Sequence, residues 1–172
     1  TNLGRALKAL KAKVAVGTKV RIRGGQRGDI GGAIVASVED SLRRLGRESV
    51  DILHLHEPTT REGVPPAFTA AAILQDAVPV LQRLRDQGKF RHYGITGLGD
   101  APEIARVLRE GGFSTAQMPY NILNPSGLAP LPAGSAMPDL GGCIRDAAAA
   151  DIGVMAIRIL AGGALSGSEA RS

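Results

Sequence analysis

Short β-branched runs alternate with stretches of helical period along the whole chain, and that alternation restricts the fold more than any single residue does. Leu3, Leu7 and Leu10 recur three and four residues apart with lysines between them, which predicts an opening amphipathic helix. Residues 13–20 (KVAVGTKV) read as a strand, and the Gly-rich RGGQRGDIGG that follows reads as a loop. A helix is predicted over residues 32–45, where Ile34, Val35, Val38, Leu42 and Leu45 keep helical spacing and Gly46 is the C-cap. The run VDILHLH over residues 50–56 reads as the next strand, ended by Pro58. Ile73, Ala77, Leu81 and Leu84 place a helix over residues 70–87, with Gly88 as its stop. Pro79 inside that stretch demands a late start or a kink, because proline has no N–H to give the preceding turn. Residues 90–96 read as a strand and 101–109 as a helix, with Asp100 as N-cap, Pro102 in the first turn and Gly111-Gly112 at its end. Residues 115–118 read as a short strand and 119–138 as a Pro-rich connection. A helix over 140–150, a strand over 152–157 and a Gly-rich tail close the chain.

Alternating units of this kind indicate an α/β fold, a parallel sheet joined by right-handed crossovers. Five strands in 172 residues suit either an open sheet or an incomplete barrel, since a whole (β/α)8 barrel takes about 250 residues. Periodicity does not choose between them. At 44% hydrophobic residues the chain is too apolar to be disordered. Apolar runs such as residues 154–157 fall far short of the roughly 20 needed to cross a membrane, and residues 1–10 contain no signal-peptide core, so a soluble, unprocessed protein is expected. A single cysteine, Cys143, excludes an internal disulfide and a cysteine-based zinc site and fits a reducing cytoplasm. The net charge of +5 could mark a nucleic-acid binder, but the basic residues are scattered through helical stretches and the cluster between Arg21 and Arg27 is diluted. With five aromatic residues there is also little to stack on bases, so the charge reads as a solvated surface.

Two residues fall where a parallel α/β sheet binds ligands, at the C-terminal ends of its strands: Lys19 and His56. A lysine within an apolar strand is either a snorkelling strand-end side chain or a functional one. His56 is either a hydrogen-bonded core histidine or a site residue. His54 shares its strand face, so a metal pair is conceivable, although no third ligand is evident and no metal is expected. Neither a G-x-G-x-x-G fingerprint opening a helix nor a phosphate-binding P-loop occurs.

Several runs together resemble one family. SVEDSLRRLGRESVDILHLHEP is similar to the helix-strand signature of the aldo-keto reductases, which leads to a histidine at a strand end, and TKV at residues 18–20 to their strand ending in lysine. LRDQGKFRHYGITG, AQMPYNIL and GVMAIRILAGGALSG resemble later family segments, in the family's order. The resemblance implies a partial (β/α)8 barrel, a single domain over residues 1–172 that lacks the family's first strands and C-terminal end. It implies hydride transfer from NADP(H), possibly NAD(H), to the aldehyde or ketone group of a small molecule.

In that family a tyrosine is the general acid, a lysine lowers its pKa, an aspartate pairs with the lysine, and a histidine orients the carbonyl. Lys19 and His56 match two of these positions. The family's aspartate and tyrosine lie upstream of the residues present, and Tyr93 and Tyr120 fall in segments with other roles, so the chain by itself is expected to be catalytically incomplete. For the cofactor, Gln117 matches the carboxamide-binding glutamine, Thr96 keeps a hydroxyl, and Gly97 replaces a side-chain amide. Ile157 and Arg158 stand where the family has an aromatic residue and serine. An aliphatic floor cannot stack on a nicotinamide, and Arg158 is either a pyrophosphate ligand or a structurally paired arginine. Leu160, Ala161 and Gly163 match the turn that approaches the cofactor. The altered positions also leave room for a non-catalytic homologue that binds cofactor as a redox-sensing or regulatory subunit. Substrate identity and oligomeric state are not legible. Two unpaired sheet edges in such a piece predict association in isolation.

Overall fold

The computed structural model describes residues 2–22, 26, 28–63 and 67–167. Part of the Gly-rich loop and residues 168–172 of the expected tail lie outside the described residues. In chain order the elements are α1 (Asn2–Leu10), β1 (Gly17–Val20), α2 (Ile30–Leu45), β2 (Val50–Leu55), α3 (Ala70–Ala72), a π-turn (Ile73–Ala77), α4 (Val78–Asp86), β3 (Phe90–Thr96), α5 (Ala101–Glu110), β4 (Thr115–Pro119), α6 (Cys143–Ala149), β5 (Gly153–Ile157) and a 3-10 turn (Ala161–Gly163). The five strands form one parallel sheet in the order β1-β2-β3-β4-β5. Each strand lies beside its sequence neighbour, so every crossover advances in one sense. A doubly wound open sheet reverses at a switch point, and this one does not. It is a partial (β/α)8 barrel.

Local chemistry explains the boundaries. Asp29 caps α2, accepting the Gly32 N–H at 2.7 Å, and Gly46 ends it in the left-handed region at φ +66°. Pro79 is accommodated by one wide turn: Val78 N–H reaches back to Ile73 O, and α4 starts with the proline in its first turn, where no donor is needed. Three expectations change. The strand predicted over 13–20 shortens to Gly17–Val20: the Val16 N–H goes to the Asp51 carboxylate at 2.8 Å, a side chain in place of a ladder partner, and the pairing with β2 runs from Gly17 onward. The helix predicted over 140–150 begins at Cys143, since Gly141 and Gly142 take φ of +61° and +75°, which a right-handed helix does not adopt. Asp100 stands at the N-cap of α5 as expected but makes no side-chain capping bond; its carboxylate accepts the Arg61 N–H at 2.8 Å and helps tie the β2 and β3 loops together.

The two faces of the sheet are chemically distinct. Val20, Leu53, Leu55, Tyr93, Ile95, Ala116 and Met118 are buried in one core with Ile34, Val38, Leu81, Leu84, Ile104 and Val107 of the helices. Strand side chains alternate, so the residues between them occupy the opposite, inner face. There stand Lys19, His54, His56, Gly94, Thr96, Thr115 and Gln117. The inner face is therefore polar where the outer one is aliphatic, which fits a ligand-lined barrel top rather than a second core.

Candidate active site

The inner face brings four strands' side chains together near their C-terminal ends. Register places Lys19 beside His54, His54 beside Gly94, and Thr96 beside Gln117. His56 Nδ1 lies 2.9 Å from Thr96 Oγ1, and the Thr96 hydroxyl lies 3.4 Å from Gln117 Oε1. A row His56–Thr96–Gln117 thus crosses three neighbouring strand ends. If Thr96 donates to Gln117 Oε1, it accepts from His56 Nδ1–H and leaves Nε2 as an acceptor. With the Gln117 amide turned over, the row runs in reverse and His56 Nε2–H becomes a donor. The same side chains can hold either half of an alcohol–carbonyl pair.

His54 lies deeper, with Nε2 3.1 Å from Thr115 Oγ1. Burial first, then the charges of Lys19 and His56, lower its pKa to about 4, so it is neutral at pH 7. Burial, then Lys19, then Arg21, also hold His56 below the ordinary histidine range. The two histidines answer different threonines, and among the described residues no group of three or more His, Cys, Asp or Glu could hold a metal. His54 is a satisfied interior histidine.

Gly94 is what lets His54 and Thr115 meet. A Cβ there would lie 2.3 Å from both Thr115 O and Thr115 Oγ1 and 2.8 Å from His54 Cδ2. Lys19 is exposed on the inner face and makes no ion pair among the described residues. Gly97 is buried, its N–H on Gln117 O at 2.8 Å; a side chain there would strike Met118 Sδ at 2.2 Å.

The end of β5 forms the far wall. Ile157 O accepts the Tyr120 N–H at 2.9 Å, and Arg158 O accepts from Asn121 Nδ2 at 3.2 Å. Arg158 and Ala161 take positive φ of +60° and +49°, and Gly163 one of +100°. Leu160 is exposed, as is Arg158, whose guanidinium has no ion-pair partner among the described residues. The paired structural arginine is not what forms. Gly97, Tyr120, Asn121, Arg158 and Ala161 line a cavity of about 440 Å³ between the β3, β4 and β5 loops. So Lys19, His56, Thr96 and Gln117 converge on the inner face, whereas Gly97, Arg158 and Ala161 line this neighbouring cavity. The sequence reading missed the His54–Thr115 pair and Gly94; strand alternation beyond His56 was the signal that could have found them.

A parallel barrel segment with convergent polar side chains at its C-terminal edge defines a small-molecule site of the (β/α)8 class. Residues 1–172 match the model of the aldo/keto reductase family, and the chain belongs to that family. It is similar to an aldo/keto reductase from Klebsiella pneumoniae solved with NADP and acetate, at 26% identity and a TM-score of 0.62, over 96% of this chain and 50% of that one. An aldo-keto reductase from Bacillus halodurans in its holo form shares the fold at 22% identity and a TM-score of 0.69, over 98% of this chain and 49% of that one. L-galactose dehydrogenase from Arabidopsis thaliana is 39% identical over 62 residues, 36% of this chain and 17% of that protein. The chain spans about half the length of the solved structures it matches. Among the described residues, no helix is long and apolar enough to cross a membrane.

Proposed function

We propose that this chain carries part of the active site of an NADP(H)-dependent reductase that converts a small aldehyde or ketone to an alcohol. The hydrogen-bonded row His56–Thr96–Gln117 beside Lys19 is the observation that carries the reading. A carboxamide offers one acceptor and two donors, which the Gln117 amide matches, and the buried Thr96 hydroxyl holds that amide in place. Those two residues would hold the nicotinamide end, with Ile157 as an aliphatic wall and Arg158 with the 160–163 turn towards the phosphates. When bound, the cofactor supplies the hydride.

The chain's own residues do the rest. In the arrangement with the Gln117 amide turned over, the Thr96 hydroxyl donates to His56 Nδ1, and the neutral His56 donates from Nε2 and orients the carbonyl oxygen. Lys19 is a cation on the same face and favours the ionised form of a neighbouring phenol, moving its pKa towards the working pH. Tyr93 is not that phenol: it faces the helices and donates to Gly111 O at 3.2 Å. The test is NADPH oxidation at 340 nm by the full-length protein with simple aldehydes. Lys19→Met and His56→Phe should each lower kcat by about 10²-fold or more while NADPH binding persists. Tight NADPH binding with no turnover by the wild type would instead select a redox-sensing homologue.

A further inference from the structure

Within that reading of the site, we propose that Arg21 recognises an anionic oxygen group on the substrate, so that the carbonyl compound reduced here also carries a carboxylate or a phosphate. Arg21 directly follows β1, and alternation fixes its side. Val20 and Ile22 are buried in the helix-side core, so Arg21 shares the inner face with Lys19, one step nearer the strand ends. His56 N–H bonds Val20 O at 2.9 Å, which sets Arg21 directly alongside His56 across the β1–β2 ladder. Arg21 is therefore the strand neighbour of His56 on the inner face. After burial and the Lys19 charge, the Arg21 charge also lowers the His56 pKa.

The surrounding charges point the same way. Lys19, Arg21 and Arg158 are all exposed cations at this end of the sheet. Glu57, the nearest acid in sequence to His56, is buried and accepts the Ile22 N–H, and Asp29 caps α2. Arg21 makes no ion pair among the described residues, whereas Arg43 and Arg44 are matched by Asp40, and Arg106 by Glu110. A guanidinium with free donors, beside a carbonyl-orienting histidine, forms paired hydrogen bonds to carboxylate or phosphate oxygens. A neutral substrate of the same shape gains nothing from it.

The test uses the full-length protein with NADPH and three aldehydes of one skeleton: 4-formylbenzoate, 4-formylphenyl phosphate and methyl 4-formylbenzoate. The wild type should prefer at least one anion over the ester by about tenfold or more in kcat/KM, and the better anion names the group. Arg21→Gln should bring that ratio close to one, mainly through KM, and leave the ester within about twofold; Arg21→Lys should recover part of the preference. An unchanged ratio in Arg21→Gln, or no preference in the wild type, overturns the proposal while leaving carbonyl reduction standing. A folded wild type that reduces none of the three refutes the underlying function and this inference with it.

Discussion

Gly94→Ala probes the packing on which the inner face depends. The added methyl group would lie 2.3 Å from Thr115 O and Oγ1 and 2.8 Å from His54 Cδ2, well inside ordinary van der Waals separation. Two of the three obstacles belong to Thr115 of the adjacent strand β4 and one to the buried His54 ring, so no flexible chain end can swing aside. Either β3 and β4 part, or His54 leaves Thr115 Oγ1, now 3.1 Å from its Nε2. Overpacking of this kind costs about 1–3 kcal/mol, and a lost buried hydrogen bond adds roughly 1 kcal/mol. The expected loss is about 2–4 kcal/mol in equilibrium urea unfolding followed by circular dichroism. Gly17→Ala is the control in the same sheet: its nearest neighbours would be Ile52 O and Cβ at 3.7 and 3.8 Å, so it should stay within about 0.5 kcal/mol of wild type. A Gly94→Ala protein as stable as the control would refute the packing described for His54 and Thr115.

The His54 environment predicts a pH dependence with a definite sign. Its folded pKa of about 4 lies below the 6.5 of an unperturbed histidine, so the unfolded chain binds the proton first and stability falls as pH drops from about 6.5 to 4. The shift corresponds to roughly 3 kcal/mol once both values are passed, and His54→Gln should flatten the slope in that window; an unaltered slope contradicts the assignment. Tyr93→Phe keeps the edge-to-face packing on Phe90 and Phe113 but leaves Gly111 O without the phenol's hydrogen bond, so it should cost about 1 kcal/mol in the same urea assay. A loss above about 3 kcal/mol would mean that the ring, not the hydroxyl, is what the substitution disturbs.

The sheet was legible because its strands are short, β-branched and punctuated by Gly and Pro. Residues 90–96 end where predicted, and Pro79 announced a local departure whose form, one wide turn, depends on the backbone finding a distant acceptor. Ends set by partners were not legible. The strand at 13–20 lost half its length as the Asp51 side chain took the Val16 N–H, and Asp100 spent its carboxylate on Arg61, distant in sequence. In the candidate site, Lys19 and His56 were found from position at strand ends and from resemblance. The Thr96 link between His56 and Gln117 required register, which no single strand encodes. Gly94 read as an ordinary glycine until the His54 ring and Thr115 stood on either side of it.

The central claim, that Thr96 and Gln117 hold the nicotinamide end of NADPH beside His56, is tested most directly by calorimetric titration of NADPH into the full-length wild-type protein, Thr96→Val and Gln117→Leu. The account predicts saturable one-to-one binding, weakened roughly three- to tenfold by each substitution, as loss of a neutral hydrogen bond would give. Equal affinity in all three proteins would place the cofactor elsewhere and contradict the account.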